Sequence, residues 1–122
     1  MTTESLKFVA DQLDLIGINY EFGQWSSDPI PDYYFVGEYT ESEPMNEDGL
    51  QESTVLLTGF ASEWIVLERA KEKIERNISK TAILPNGNGI AVFYSGALIV
   101  PTNDANLKRI QINLTIKEWS VN

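Results

Sequence analysis

Between Arg109 and Lys117 apolar and polar residues alternate without a break: Ile110, Ile112, Leu114 and Ile116 are interleaved with Arg109, Gln111, Asn113, Thr115 and Lys117. A period of two belongs to a strand, because successive side chains leave a pleated backbone on opposite faces. One face of this strand must therefore be buried and the other wet, and a slip of one residue would expose the whole apolar row. The chain has to build a sheet and then cover one side of it.

Two segments have the spacing to provide that cover. From Thr3 to Ile16, Leu6, Val9, Ala10, Leu13 and Ile16 recur at steps of three or four and line one helical face. Thr2 or Thr3 supplies a cap, and Gly17 an end. The spacing predicts a second helix from about Ser62, with Glu63 in its first turn and Lys80 beyond its last. Its apolar stripe is Leu67, Ala70, Ile74 and Ile78, joined by Trp64, and Glu72 with Arg76 forms a favourable pair one turn apart.

The remaining strands are shorter. Ile18 to Phe22 reads as one, followed by a loop at Ser26-Ser27-Asp28-Pro29-Ile30-Pro31 that can continue neither element. Tyr33 to Thr40 and Ser53 to Phe60 are β-branched and aromatic enough for two more. Between them Glu41 to Glu52 is acidic and broken by Pro44 and Gly49, which predicts a long connection. Pro85-Asn86-Gly87-Asn88-Gly89 is a turn joining Thr81–Leu84 to Ile90–Ser95 as a hairpin, and a further strand is expected from Leu98. The expected fold is α+β, a mainly antiparallel sheet with two helices packed on one face in the order α-β-β-β-α-β-β-β, forming one domain over residues 1–122.

Charge is distributed unevenly along this framework. From Phe8 to Glu68 the chain runs 61 residues without a lysine or arginine while holding thirteen of its eighteen acids. The cations are Lys7, then Arg69, Lys71, Lys73, Arg76 and Lys80, then Lys108, Arg109 and Lys117. Opposite fields on one small body favour head-to-tail docking of identical copies. The net charge of −9 disfavours a specific nucleic-acid partner, since phosphate contacts need cations. The apolar runs are too short to span a bilayer, and Met1-Thr2-Thr3-Glu4 lacks the pattern of a signal peptide, so a cytosolic protein with no membrane partner is expected.

Candidate chemistry is sparse. With no His and no Cys, thiolate catalysis, disulfides and the usual zinc sites are excluded, and neither metal nor cofactor is expected. Carboxylate pairs are numerous, yet they fall in loops with no motif fixing two of them as acid and base, so no catalytic residues are assigned. Asn46-Glu47-Asp48-Gly49 lacks the alternating ligands and closing Glu of a calcium loop, and Gly87-Asn88-Gly89 lacks the Lys-Ser/Thr of a phosphate loop. Both read as turns. Tyr20, Phe22, Trp25, Tyr33, Tyr34 and Phe35 crowd the region after the first helix. Most should be core. Trp25, beside a Ser-rich loop, is a candidate anchor for a neighbouring subunit, and Trp119 is either another or a lid on the sheet.

The element order and length, Gly37-Glu38-Tyr39-Thr40-Glu41, Pro44-Met45-Asn46-Glu47-Asp48-Gly49, and the closing run from Leu107 to Trp119 resemble small neck and tail proteins of long-tailed bacteriophages and their prophage relics in low-GC Gram-positive bacteria. Within that group the chain is most similar to tail terminator, or tail completion, proteins. The resemblance implies a structural component of the virion tail or neck, present in the host cytoplasm before assembly. Its partners would be its own copies in a ring, commonly a hexamer, the tail tube protein, and the head-completion or connector protein, with DNA passing through the lumen. No site residues carry over from the family. The residues that charge itself nominates for the subunit interface are Glu41, Glu43, Glu47 and Asp48 on one copy against Arg69, Lys73 and Arg76 on the next, with Trp25 as anchor. The alternative is a small acidic inhibitor, a DNA mimic or immunity protein that blocks a basic enzyme surface.

Overall fold

The structure, a computed structural model, describes residues 1–41 and 49–120. Its elements are α1 (Thr3–Ile16), β1 (Tyr20–Phe22), β2 (Tyr33–Glu41), β3 (Leu50–Ala61), α2 (Trp64–Asn77), β4 (Lys80–Ile83), β5 (Gly89–Ile99) and β6 (Lys108–Trp119). They form an α+β fold around one six-stranded sheet in the order β1-β2-β3-β6-β5-β4. Only the β1–β2 pair is parallel among the described strands.

The alternating segment becomes β6, and it lies at the middle of the sheet. β3 pairs with it antiparallel from Leu50↔Trp119 to Ala61↔Lys108, which aligns Ser53, Val55, Leu57 and Gly59 with Ile116, Leu114, Ile112 and Ile110. This row is the covered face. Val9 and Leu13 of α1 and Leu67, Ala70 and Ile74 of α2 bury themselves against it together with Phe35, Ile78, Ile90 and Val92. Each fully buried side chain of this size contributes about 1.5–3 kcal/mol, so the helices hold to the sheet by the stripes that their spacing predicts.

The helix ends follow local chemistry. Thr2 caps α1 by accepting from the Ser5 amide at 3.1 Å, and Gly17 ends it at φ 89°, where a side chain would be strained. α2 starts two residues later than its acidic signal suggests. Glu63 is its N-cap rather than part of its first turn, and its side chain makes no capping bond. The ion pair one turn apart on α2 is Lys71–Glu75, in place of the expected Glu72–Arg76. Trp64 lies at the rim, 36% exposed, beneath the Lys108 ammonium at 5.9 Å.

Other boundaries also differ from the expectation. The connection between β2 and β3 is shorter than the dozen residues from Glu41 to Glu52, because Glu41 still pairs with Ser53 and β3 begins at Leu50. No separate strand starts at Leu98: β5 runs through to Ile99 over a bulge at Tyr94/Gly96, and Val100 continues with a bond to the Arg109 carbonyl. The bulge admits one extra residue and keeps the pairing with β6 alive on both sides of it.

Three strand glycines explain why the sheet packs so closely. An added Cβ would run into the Tyr20 ring at Gly37, the Phe35 ring at Gly59 and the Trp119 ring at Gly89. In each case an aromatic from the neighbouring strand lies close over the bare backbone. Trp119, half-buried, packs over Gly89. Burial pushes the Tyr20 hydroxyl up to about 12.

Glu118 follows Ile116 on the covered face and is only 2% exposed. It accepts from the Thr2 hydroxyl at 3.1 Å and from the Asn88 side-chain amide at 2.9 Å. It therefore ties the start of α1, the β4–β5 turn and the end of β6 together. Close by, the Met1 amino group donates to Gln51 at 2.9 Å and pairs with Glu41, and Glu4 accepts from the Asn86 amide at 2.7 Å.

Two outcomes follow. Glu118→Ala leaves the half-buried Thr2 and Asn88 donors without their acceptor and should lower unfolding free energy by about 1–3 kcal/mol, read as a lower urea midpoint, while Glu118→Gln, which keeps an acceptor, should cost less. Tyr20 binds its proton more tightly folded than unfolded, so its contribution is complete below pH 10 and is lost as pH rises towards about 12. Urea midpoints should fall across that window in the wild type, and Tyr20→Phe should remove that part of the fall.

Candidate functional site

Arg69, Lys73 and Arg76 recur at steps of four and three along α2, so they form one strip, away from the buried stripe of Leu67, Ala70 and Ile74. All three are exposed. Among the described residues the ion pairs are Met1–Glu41, Lys7–Asp11 and Lys71–Glu75, and none of the three strip cations takes part in one. No described carboxylate of the same molecule lies within ion-pair distance of the strip. Arg69 and Lys73 line an open cleft with Asp32, Tyr33, Val66 and Ala70, at the start of β2. The Lys73 ammonium reaches the end of α1 beside Gly17, where the helix dipole favours a cation.

The acidic half of the expected interface is placed only in part. Glu41 stands at the far end of β2 from Tyr33, and its carboxylate is engaged by the Met1 amino group. Glu43, Glu47 and Asp48 lie outside the described residues. The structure therefore places the cation strip beside the Tyr33 end of β2 and Glu41 at the other end, with no contact between them.

Trp25 belongs to an arrangement that the sequence reading missed. Its ring packs on Tyr34 at 5.2 Å, Tyr34 stacks on Phe60 at 5.2 Å, and the Arg109 guanidinium sits over Phe60 at 5.4 Å. The four residues make a row over the uncovered face, running from the loop after β1 across β2, β3 and β6. Glu21 shapes the loop: it accepts from the Ser26 hydroxyl at 2.7 Å and the Ser27 amide at 3.1 Å, bonds that hold its carboxyl below the ordinary value. The Trp25 indole donates to the Ser27 carbonyl at 2.9 Å. Trp25 is thus half-buried in its own subunit, which leaves less of it for a neighbour than an isolated loop tryptophan would offer. The available signal was phase, since Tyr34 and Phe60 are large and aromatic on the side of their strands opposite Phe35 and Gly59.

The arrangement offers surfaces rather than a reaction centre. Among the described residues no group of three carboxylates converges where a metal ion could bind, and no helix is long and apolar enough to cross a membrane. Because Arg69 and Arg76 form no ion pair among the described residues, Arg69→Gln and Arg76→Gln should each change stability by no more than about 0.5 kcal/mol, and Lys73→Gln, which also leaves the end of α1, by about 0.3–1 kcal/mol, measured by urea unfolding. Any effect of these changes on association is then an effect on the surface. Compared with known proteins, the chain matches no family model and no curated protein.

Proposed function

We propose that the protein is a structural component of a bacteriophage or prophage tail, a tail terminator or head-tail joining protein whose copies form a ring. The ring caps the tail tube and presents its other surface to the head connector. The observation that carries this reading is the strip of Arg69, Lys73 and Arg76, exposed and without an ion-pair partner among the described residues, on a body of net charge −9. A cation strip with no ion-pair partner among the described residues is available to an acidic surface of another copy, and repetition of one heterologous contact closes a ring when the rotation per step divides the circle. The resemblance of the closing strand and of the loop at Pro44–Gly49 to tail terminators supplies the tube and connector as partners, and an acidic lumen would let DNA pass without adhering.

Exposed charge pairs are screened over a Debye length of about 10 Å at 0.1 M salt. Negative-stain micrographs and sedimentation at low salt should show ring particles, and the triple change of Arg69, Lys73 and Arg76 to Gln, like high salt, should dissolve them. A one-to-one complex with a basic enzyme, with no self-association at high micromolar concentration and low salt, would replace this reading with the inhibitor.

A further inference from the structure

The two edges of the sheet are unequal, and each is partly open. On one side β4 pairs with β5 only from Gly89 to Val92. Among the described residues no strand lies on the outer side of Phe93 to Ile99. On the other side β1 covers β2 only from Phe35 to Gly37, and the Gly23 amide closes onto the Gly37 carbonyl. Beyond that point Glu38 to Glu41 has no outer neighbour among the described residues.

Natural sheets protect such edges with charge, proline or very short strands. The β5 edge has none of these. From Thr81 to Asn103 the chain contains no Asp, Glu, Lys or Arg at all, and Phe93, Leu98 and Ile99 are exposed at 42%, 49% and 58%. Seven residues of open strand, about 23 Å at 3.3 Å each, thus offer backbone donors and acceptors flanked by apolar side chains. The bulge at Tyr94/Gly96 bends this edge, but it leaves Ala97 and Ile99 in register with Ile112 and Ile110.

We propose that the Phe93–Ile99 edge of one copy takes the Glu38–Glu41 edge of the next, so that the sheet continues from subunit to subunit. This deepens the ring reading and rests on it for the head-to-tail arrangement. Three observations select this occupant. First, β2 runs antiparallel to β5 within the sheet, because β2 to β3, β3 to β6 and β6 to β5 are each antiparallel. A neighbour in the same orientation therefore presents an antiparallel ladder and leaves a fresh β5 edge free at its far side. Second, apolar surface meets apolar surface. Phe22 and Tyr39 stack at 6.2 Å, both exposed, beside the β2 edge. Setting Tyr39 opposite Ala97 and Glu38 opposite Leu98 keeps both pairs on matching faces, and the Phe22–Tyr39 pair then extends the covered face across the joint. Third, charge agrees. The open β5 segment adjoins Lys80, opposite Val92, which is exposed and in no ion pair among the described residues. Antiparallel pairing sends Glu41 towards Lys80.

Sedimentation with hydrogen exchange tests the joint. Wild type at high micromolar concentration should form species larger than a dimer, with slowed exchange at both 93–99 and 38–41. Leu98→Glu sets a like charge opposite Glu38, and Ile99→Lys places a charge on an exposed apolar position; each should weaken association by at least about tenfold while melting as the wild type does. Glu38→Lys, on the opposite edge, should weaken it as well. A dimer protected at 93–99 alone would overturn the proposal in favour of β5 pairing with itself. A monomer would overturn it too. Rings that persist with Ile99→Lys and Leu98→Glu would sink the edge contact and leave the ring reading standing, whereas edge-dependent open filaments would keep the contact and sink the closed ring.

Discussion

The pairing of β3 with β6 is the contact on which the rest of the molecule depends. Twelve residue pairs from Leu50↔Trp119 to Ala61↔Lys108 place every inward residue of one strand beside an inward residue of the other. Because the side-chain period is two, this single register decides which face is apolar, and both helices must then lie there. It also divides the sheet, with β2 and β1 on one flank and β5 and β4 on the other. The proposed edge contact concerns what those two flanks leave open.

Much of this was legible because the signals were periodic. The alternation from Arg109 to Lys117 and the stripes Val9–Leu13 and Leu67–Ala70–Ile74 each describe a face, and faces survive errors of one or two residues at the ends. The boundaries were less legible. Acidic residues at Glu41 and Glu52 look like loop, yet they lie in strands whose pairing continues because the backbone, not the side chain, makes the ladder. The β5 bulge was illegible for a related reason: Gly96, at φ 135°, reads as a break between two strands, when it is the point where one strand admits an extra residue.

Of the candidate site, the cation strip was readable from helical spacing alone. Its lack of an ion pair among the described residues was not, since that depends on where Asp32 and Glu41 fall in space. Glu118 shows the same limit in reverse. A carboxylate one residue beyond a basic strand position looks solvated, but the strand's own phase turns it inward, where Thr2 and Asn88 satisfy it. Burying it without those donors would cost several kcal/mol, so the start of α1 and the β4–β5 turn are held in place by the same group. The aromatic row of Trp25, Tyr34, Phe60 and Arg109 strengthens the uncovered face and takes up part of a side chain that would otherwise look free for a partner.

The proposed assembly draws on edges and strips that the fold itself does not use. The absence of cysteine from the chain makes the central claim open to a direct measurement. Two single-cysteine proteins, Tyr39→Cys and Ala97→Cys, are mixed in equal amounts and treated with oxidant or a short bis-maleimide. The account predicts cross-linked dimers in the mixture and none with either protein alone. Cross-linking of Ala97→Cys to itself, or no cross-linking in a mixture that sediments as an assembly, would contradict it.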